Sequence, residues 1–204
     1  MKVTLALLAA PLVALAAAAP KPDVSVPGEF VASALSPENC KGPKSSGNPI
    51  NASGLKFYIN RPTATYCPEG ISGLDCSFYN GTQTVFAIGE GLSGMSLSVT
   101  VPGGQQVYVA PDGSLSYTIA HSAYIPPGSV VVDFKREQKA GDASAPIFLR
   151  VEGHQFYLCP VAGETADAQK KVSQVFAFTK PKKGCEKTKV VTNTPQTQAV
   201  WQYQ

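Results

Sequence analysis

The chain predicts an all-β fold, and three features of it do so. Nine short runs, LKFYIN, TVFAIG, MSLSVTV, QQVYVA, SLSYTIA, VVVDF, IFLRVEG, HQFYLCPV and QVFAFT, are rich in β-branched and aromatic residues. Clusters of glycine, proline and asparagine separate them, and several alternate apolar with polar residues, the period of a half-buried strand. With 204 residues, 44% hydrophobic and 15% charged, the chain is long enough for one domain with a real core. A single antiparallel sandwich or a small barrel would bury the alternating faces, and a β-trefoil uses the same short hairpins. No fixed internal period selects among the three.

The elements follow in order. Lys2 precedes an apolar run that ends in alanines, the layout of a secretory signal, with the cut placed after Ala18. Pro11 interrupts that run, which is short for a membrane span, so no membrane partner is expected after its removal. Residues 19–53 read as an irregular arm rich in proline, serine and glycine, in which VPGEFVASAL can supply a short strand or helix. Residues 54–186 read as the all-β domain. The best-written unit in it is VPGGQQVYVAPDGSLSYTIAHS at 101–122. Val107 and Val109 share one face of a strand, Pro111, Asp112 and Gly113 turn the chain, and Leu115, Tyr117 and Ile119 share a face of the return strand. The one competing helix is GETADAQKKVSQV at 163–175, which has good helix formers and a threonine to cap it. Residues 187–204 read as a polar, threonine-rich tail whose Trp201 and Tyr203 can dock on the body.

The net charge of +3 is too small to imply a nucleic-acid partner. Its distribution is uneven: Lys170, Lys171, Lys180, Lys182, Lys183, Lys187 and Lys189 crowd the C-terminal part. A solvated lysine-rich surface is the simpler reading, and contact with an acidic polysaccharide the more specific one.

Five cysteines in a secreted chain make disulfides the default, with one left over. Spacing does not fix the connectivity. Cys67 and Cys76 flank PEGISGLD, whose Pro68, Gly70 and Gly73 let the chain fold back to bridging distance, so a local disulfide is favoured. A Cys159–Cys185 bridge would then tie the lysine-rich segment to the body, leaving Cys40 unpaired. Asn51-Ala52-Ser53 and Asn80-Gly81-Thr82 are N-glycosylation acceptor patterns.

Catalytic signatures are sparse. The chain has no GxSxG elbow, HExxH pair, phosphate loop or dinucleotide fingerprint. His121 beside Ser122, with Asp133 further on, sketches a hydrolase triad, but a histidine closing a hairpin is the simpler account. Asp112 with Glu90 or Asp133 sketches a glycosidase pair, yet Pro-Asp-Gly is turn chemistry. His154 between two strand-like runs reads as a turn residue, and the two histidines make a poor metal site. No enzyme, cofactor or metal is expected. Gln105 and Gln106 beside Tyr108 are the candidate ligand-binding residues, because their amides suit sugar hydroxyls or a closed polar network. Tyr58, Tyr66, Tyr79, Tyr117 and Tyr124 add rings that pack in the core or stack on sugars.

The 101–122 segment, followed by IPPGS at 125–129, resembles the fungal phialide cell-wall protein family, which includes proteins described as IgE-binding. FYINRPTATYCPEG, NGTQTVFAI and FYLCPV fall in the expected order, so the likeness spans residues 55–161. It implies a secreted or wall-associated fungal protein linked to the development of spore-bearing cells, with a structural or binding role and no established reaction. Its expected partners are wall polysaccharide or wall proteins.

Overall fold

The computed structural model describes residues 23–35, 47–167, 170–196 and 199–204. The signal segment and Cys40 lie outside the described residues. In chain order the strands are β1 (Val24–Ser25), β2 (Gly28–Leu35), β3 (Asn48–Pro49), β4 (Asn51–Ser53), β5 (Lys56–Ile59), β6 (Thr65–Tyr66), β7 (Val85–Ile88), β8 (Met95–Leu97) and β9 (Gln105–Val109). There follow β10 (Leu115–Tyr117), β11 (Phe134–Gln138), β12 (Ile147–Val151), β13 (Gln155–Asp167), β14 (Lys170–Phe178), β15 (Glu186–Lys187), β16 (Lys189–Asn193) and β17 (Gln202–Tyr203). A single 3-10 turn, Cys76–Phe78, stands between β6 and β7.

Fifteen strands form one antiparallel sheet in the order β1-β11-β12-β16-β2-β7-β8-β9-β10-β5-β14-β13-β15, with β3 added to β2 and β4 to β5. The sheet doubles over on itself. Phe57 of β5 packs on Phe86 of β7 at 5.1 Å between centroids, although β8, β9 and β10 separate those strands in the ladder. Phe30 stacks on Phe86 at 5.5 Å, and Tyr117 meets Phe57 at 5.1 Å. One continuous core therefore lies between two layers, and the sheet does not close into a barrel. This is the sandwich-like member of the predicted set, and not the barrel or trefoil.

Alternation drives each layer. In β9 the buried Gln105, Val107 and Val109 alternate with exposed Gln106 and half-buried Tyr108, so one strand builds both the core and an outward face. The expected hairpin with β10 is present, with Tyr108 opposite Ser116 and Val107 opposite Tyr117. Gly113 at the turn has φ +84° and passes directly beneath the Phe178 ring, where an added Cβ would lie 2.3 Å from a ring carbon. Gly113→Ala therefore combines a left-handed backbone penalty with crowding, an expected loss of about 2 kcal/mol readable by urea unfolding.

Four sequence expectations are corrected. The arm is not irregular throughout: of the strand and helix readings of VPGEFVASAL the strand is present, and β2 lies between β16 and β7 with Phe30, Ala32 and Ala34 in the core. The supposed tail is not an extension: β16 lies between β12 and β2, Val190 and Val200 are core residues, and Tyr203 docks in the core as expected. The competing helix at 163–175 is not formed among the described residues: 163–167 belong to β13 and 170–175 to β14, which pair antiparallel with register shifts near Pro160 and Thr165. Strand β11 begins at Phe134, so VVVDF is mostly loop, with Val130 bridged to Val109.

Among the described residues, β11 buries a charge. Arg136 of β11 is only 5% exposed and has no acidic partner among the described ion pairs. Its guanidinium donates to Thr192 Oγ1 and to the Val26 and Pro27 carbonyls, and it lies 4.4 Å from the Phe30 ring centre. Burial lowers its pKa, but an arginine stays protonated, and these acceptors compensate its desolvation.

Candidate binding surface

Both expected disulfides are present. Cys67–Cys76 closes the loop before β7, and Cys159–Cys185 fastens β13 to the segment entering β15.

The three residues proposed from sequence as ligand-binding separate into two roles. Gln105 is 1% exposed. Its Nε2 donates to the carbonyls of Thr118 and Tyr203, both at 3.0 Å, and its Oε1 accepts from the Tyr203 amide at 2.8 Å. It is the closed polar network of the two readings and has no amide group left for a ligand, which corrects its assignment as a binding residue. Tyr203 extends the network: its hydroxyl accepts from Val85 N at 2.9 Å and donates to Gln83 O at 3.0 Å. Burial pushes that phenol up to about 12. Gln106 and Tyr108, one and three residues on, face outward.

Around Tyr108 the register assembles a row that local spacing does not reveal. Tyr108 stands opposite Ser116, Ser116 opposite Lys56, Phe176 opposite Tyr157, and Tyr157 opposite Lys187. Ser114 is bridged to Phe176 and joins the two halves. The row crosses β9, β10, β5, β14, β13 and β15 on the side of the layer away from the core, a span of roughly 24 Å at the usual strand spacing; Ser116 and Tyr157 within it are buried, while Tyr108, Lys56, Phe176 and Lys187 reach solvent. Phe176 and Phe178 are half-buried and stacked at 5.2 Å, with Tyr157 5.6 Å from Phe178 and the Lys182 ammonium 5.7 Å above it. Gln174, two residues before Phe176, holds an amide nitrogen shielded from solvent without a partner. At the other end Tyr124 is 71% exposed; burial first, then the neighbouring Tyr124 and Asp112, push the Tyr108 phenol up, which keeps it neutral.

Sequence reasoning did not single out Lys56, Ser114 or Phe176. Lys56 sits 3.1 Å from Ser114 Oγ, which donates to Asp112 Oδ1 at 2.6 Å. The cluster has the members of a lysine-activated serine but the wrong proton arrangement. The lysine donates, the serine proton is committed to a carboxylate, and Ser114 is fully buried. Burial opposes ionisation of Asp112, but hydrogen bonds from the Ser114 hydroxyl and amide, with Lys56 at 3.9 Å, prevail and lower its pKa. The cluster locks the hairpin turn.

The other catalytic candidates are dispersed. His121 is exposed at φ +62°, and Ser122 uses its hydroxyl to accept from Tyr124 N. No hydrogen bond among the described residues joins His121 to Ser122 or Asp133. Asp133 has φ +69° and accepts from Glu152 N, while Glu90 is exposed in the turn after β7. His154 closes the β12–β13 turn, its Nδ1 2.8 Å from Glu152 O. Among the described residues no three histidine, cysteine or acidic side chains gather as a metal group would require. A groove of about 490 Å³ beside that turn is lined by Lys135, Glu137, Arg150, Glu152, His154 and Lys189. Its acids pair with its bases, Lys135 with Glu152 at 2.9 Å and Arg150 with Glu137 at 2.8 Å.

No solved structure matches the chain. An uncharacterized secreted protein of Arthroderma benhamiae is 50% identical over 86 residues, which make up 42% of this chain and 40% of that relative; the chain thus aligns with less than half of that relative's length. The family model described as PhiA-like secreted protein matches residues 41–204, which include the row of outward side chains, both disulfides and the buried glutamine network. The chain belongs to the PhiA-like family of secreted proteins, and it is a secreted fungal protein.

Proposed function

We propose that this protein is a non-enzymatic component of the fungal cell wall, with a structural or binding role in conidium and phialide development, and that it holds wall polysaccharide on its outward sheet face. The observation that carries the reading is the row from Tyr108 through Ser116, Lys56, Phe176 and Tyr157 to Lys187. The partly exposed Tyr108 and Phe176 rings offer apolar platforms to the C–H faces of sugars, and Gln106, Lys56 and Lys187 match hydroxyls or acidic substituents. Partly exposed rings and lysines spread along a sheet face suit an extended polymer, whereas a small substrate is usually held in a concave pocket. Residues with chemical potential, His121, Asp112 and Ser114, are engaged in turns, which supports binding over hydrolysis.

Sedimentation with insoluble chitin, β-glucan and mannan tests this reading. The expected result is retention by at least one polymer and loss of retention in a Tyr108→Ala/Phe176→Ala variant that keeps its near-ultraviolet circular dichroism. Equal recovery in the supernatant with and without every polymer would remove polysaccharide as the partner. In the wall itself, release by salt favours the exposed lysines, and release by glucanase favours the aromatic strip.

A further inference from the structure

Phe78 is 70% exposed, an unusual setting for a phenylalanine. It is not on a loose segment. The 3-10 turn that ends in Phe78 is capped by Asp75, which accepts from Ser77 N at 2.9 Å, and the Cys67–Cys76 disulfide fastens its first residue. Immediately afterwards Tyr79 turns inward, meeting Trp201 edge-on at 5.3 Å, and Gly81 N donates to Ala199 O at 3.2 Å. Residues 79 and 81 therefore face the body. Phe78, Asn80 and Thr82 are all exposed and lie within five residues of one another.

This short exposed segment displays an aromatic ring two residues before the acceptor asparagine and the threonine of an Asn-Gly-Thr pattern. The other pattern is placed differently. Asn51 lies half-buried within β4, and its Nδ2 donates to Arg61 O at 2.7 Å.

We infer that Asn80 carries an N-linked glycan and that Phe78 is the platform on which the first sugar of that glycan rests. In the secretory pathway the Asn80 amide nitrogen attacks the anomeric carbon of an oligosaccharide linked to a polyprenyl diphosphate. The new C–N bond replaces the C–O bond to the diphosphate, which departs as the leaving group, and the amide gives up one proton. The apolar face of the attached sugar then covers the Phe78 ring, removing an exposed aromatic from water. The inference rests on secretion and local geometry, independently of polysaccharide binding.

The test uses protein secreted from a fungal or yeast host. Treatment with peptide N-glycanase is expected to remove the mass of an oligosaccharide and leave an aspartate at position 80 in the peptide map. Asn80→Gln and Thr82→Ala should each abolish that mass change, the second without touching the acceptor. Phe78→Ala should lower Tm by about 2–4 °C in the glycosylated protein and leave the deglycosylated protein nearly unchanged. A wild-type chain with no enzyme-sensitive mass, sugar confined to Asn51, or an equal Phe78→Ala effect with and without the glycan would each overturn the inference.

Discussion

Replacing Gln105 with leucine lowers the stability of the protein by about 3–5 kcal/mol, because three buried backbone groups lose their partner at once. Those groups are the carbonyls of Thr118 and Tyr203 and the amide of Tyr203. Leucine fills much of the volume but satisfies none of them, and each unsatisfied buried group costs about 1–3 kcal/mol. Thermal unfolding followed by circular dichroism should show a Tm lowered by about 10 °C. The neighbouring Gln106→Ala, on the exposed face of the same strand, should stay within about 0.5 kcal/mol of the parent. If the two variants unfold together, the C-terminal strand is not held by this amide.

The second large effect belongs to the Cys159–Cys185 disulfide. It closes a loop with a sequence separation of 26 residues, against 9 for Cys67–Cys76. Loop-closure entropy then assigns about 3.5 kcal/mol to the longer bridge and about 2.6 kcal/mol to the shorter. The longer bridge also holds the segment that enters β15 against β13. Two residues past β15's start, Thr188 gives its amide to Phe156 O and its hydroxyl to Leu35 O, and β16 then enters the other layer between β12 and β2. A Cys159→Ser/Cys185→Ser variant should lose more stability in urea than Cys67→Ser/Cys76→Ser. The reverse order would show that β16 is held in place without its tether.

Much of the architecture was legible because local chemistry and tertiary burial agree. The β9–β10 hairpin has its alternation, its Pro-Asp-Gly turn and its partner strand within one short segment, so nothing distant had to be known. β2 was left open between strand and helix because its inward residues after Phe30 are alanines, which suit a tightly approached strand but give a weak hydrophobic signal. β11 was displaced because a charged FKREQ run reads as surface, and only its position near a sheet edge and the acceptors around Arg136 make it a strand. Residues 163–175 have helix-forming side chains, yet pairing across the β13–β14 hairpin overrides propensity.

The binding surface was legible only in part. Gln106 and Tyr108 mark one end of it, while Lys56 and Phe176 are brought to the same row by strand register between segments far apart in the chain. Gln105 differs from Gln106 only in the parity of its position. The sequence displays both amides equally, and the core beneath β9 decides which one is consumed by Tyr203.

The most direct measurement of the central claim is a depletion isotherm of the folded protein on the wall polysaccharide that retains it best, repeated for Phe176→Ala and Tyr108→Ala. The row predicts saturable binding weakened about three- to tenfold by each substitution at unchanged Tm, the range expected for loss of one stacked ring. Saturable binding that both substitutions leave intact would contradict it, and would move the polysaccharide to another face of the molecule.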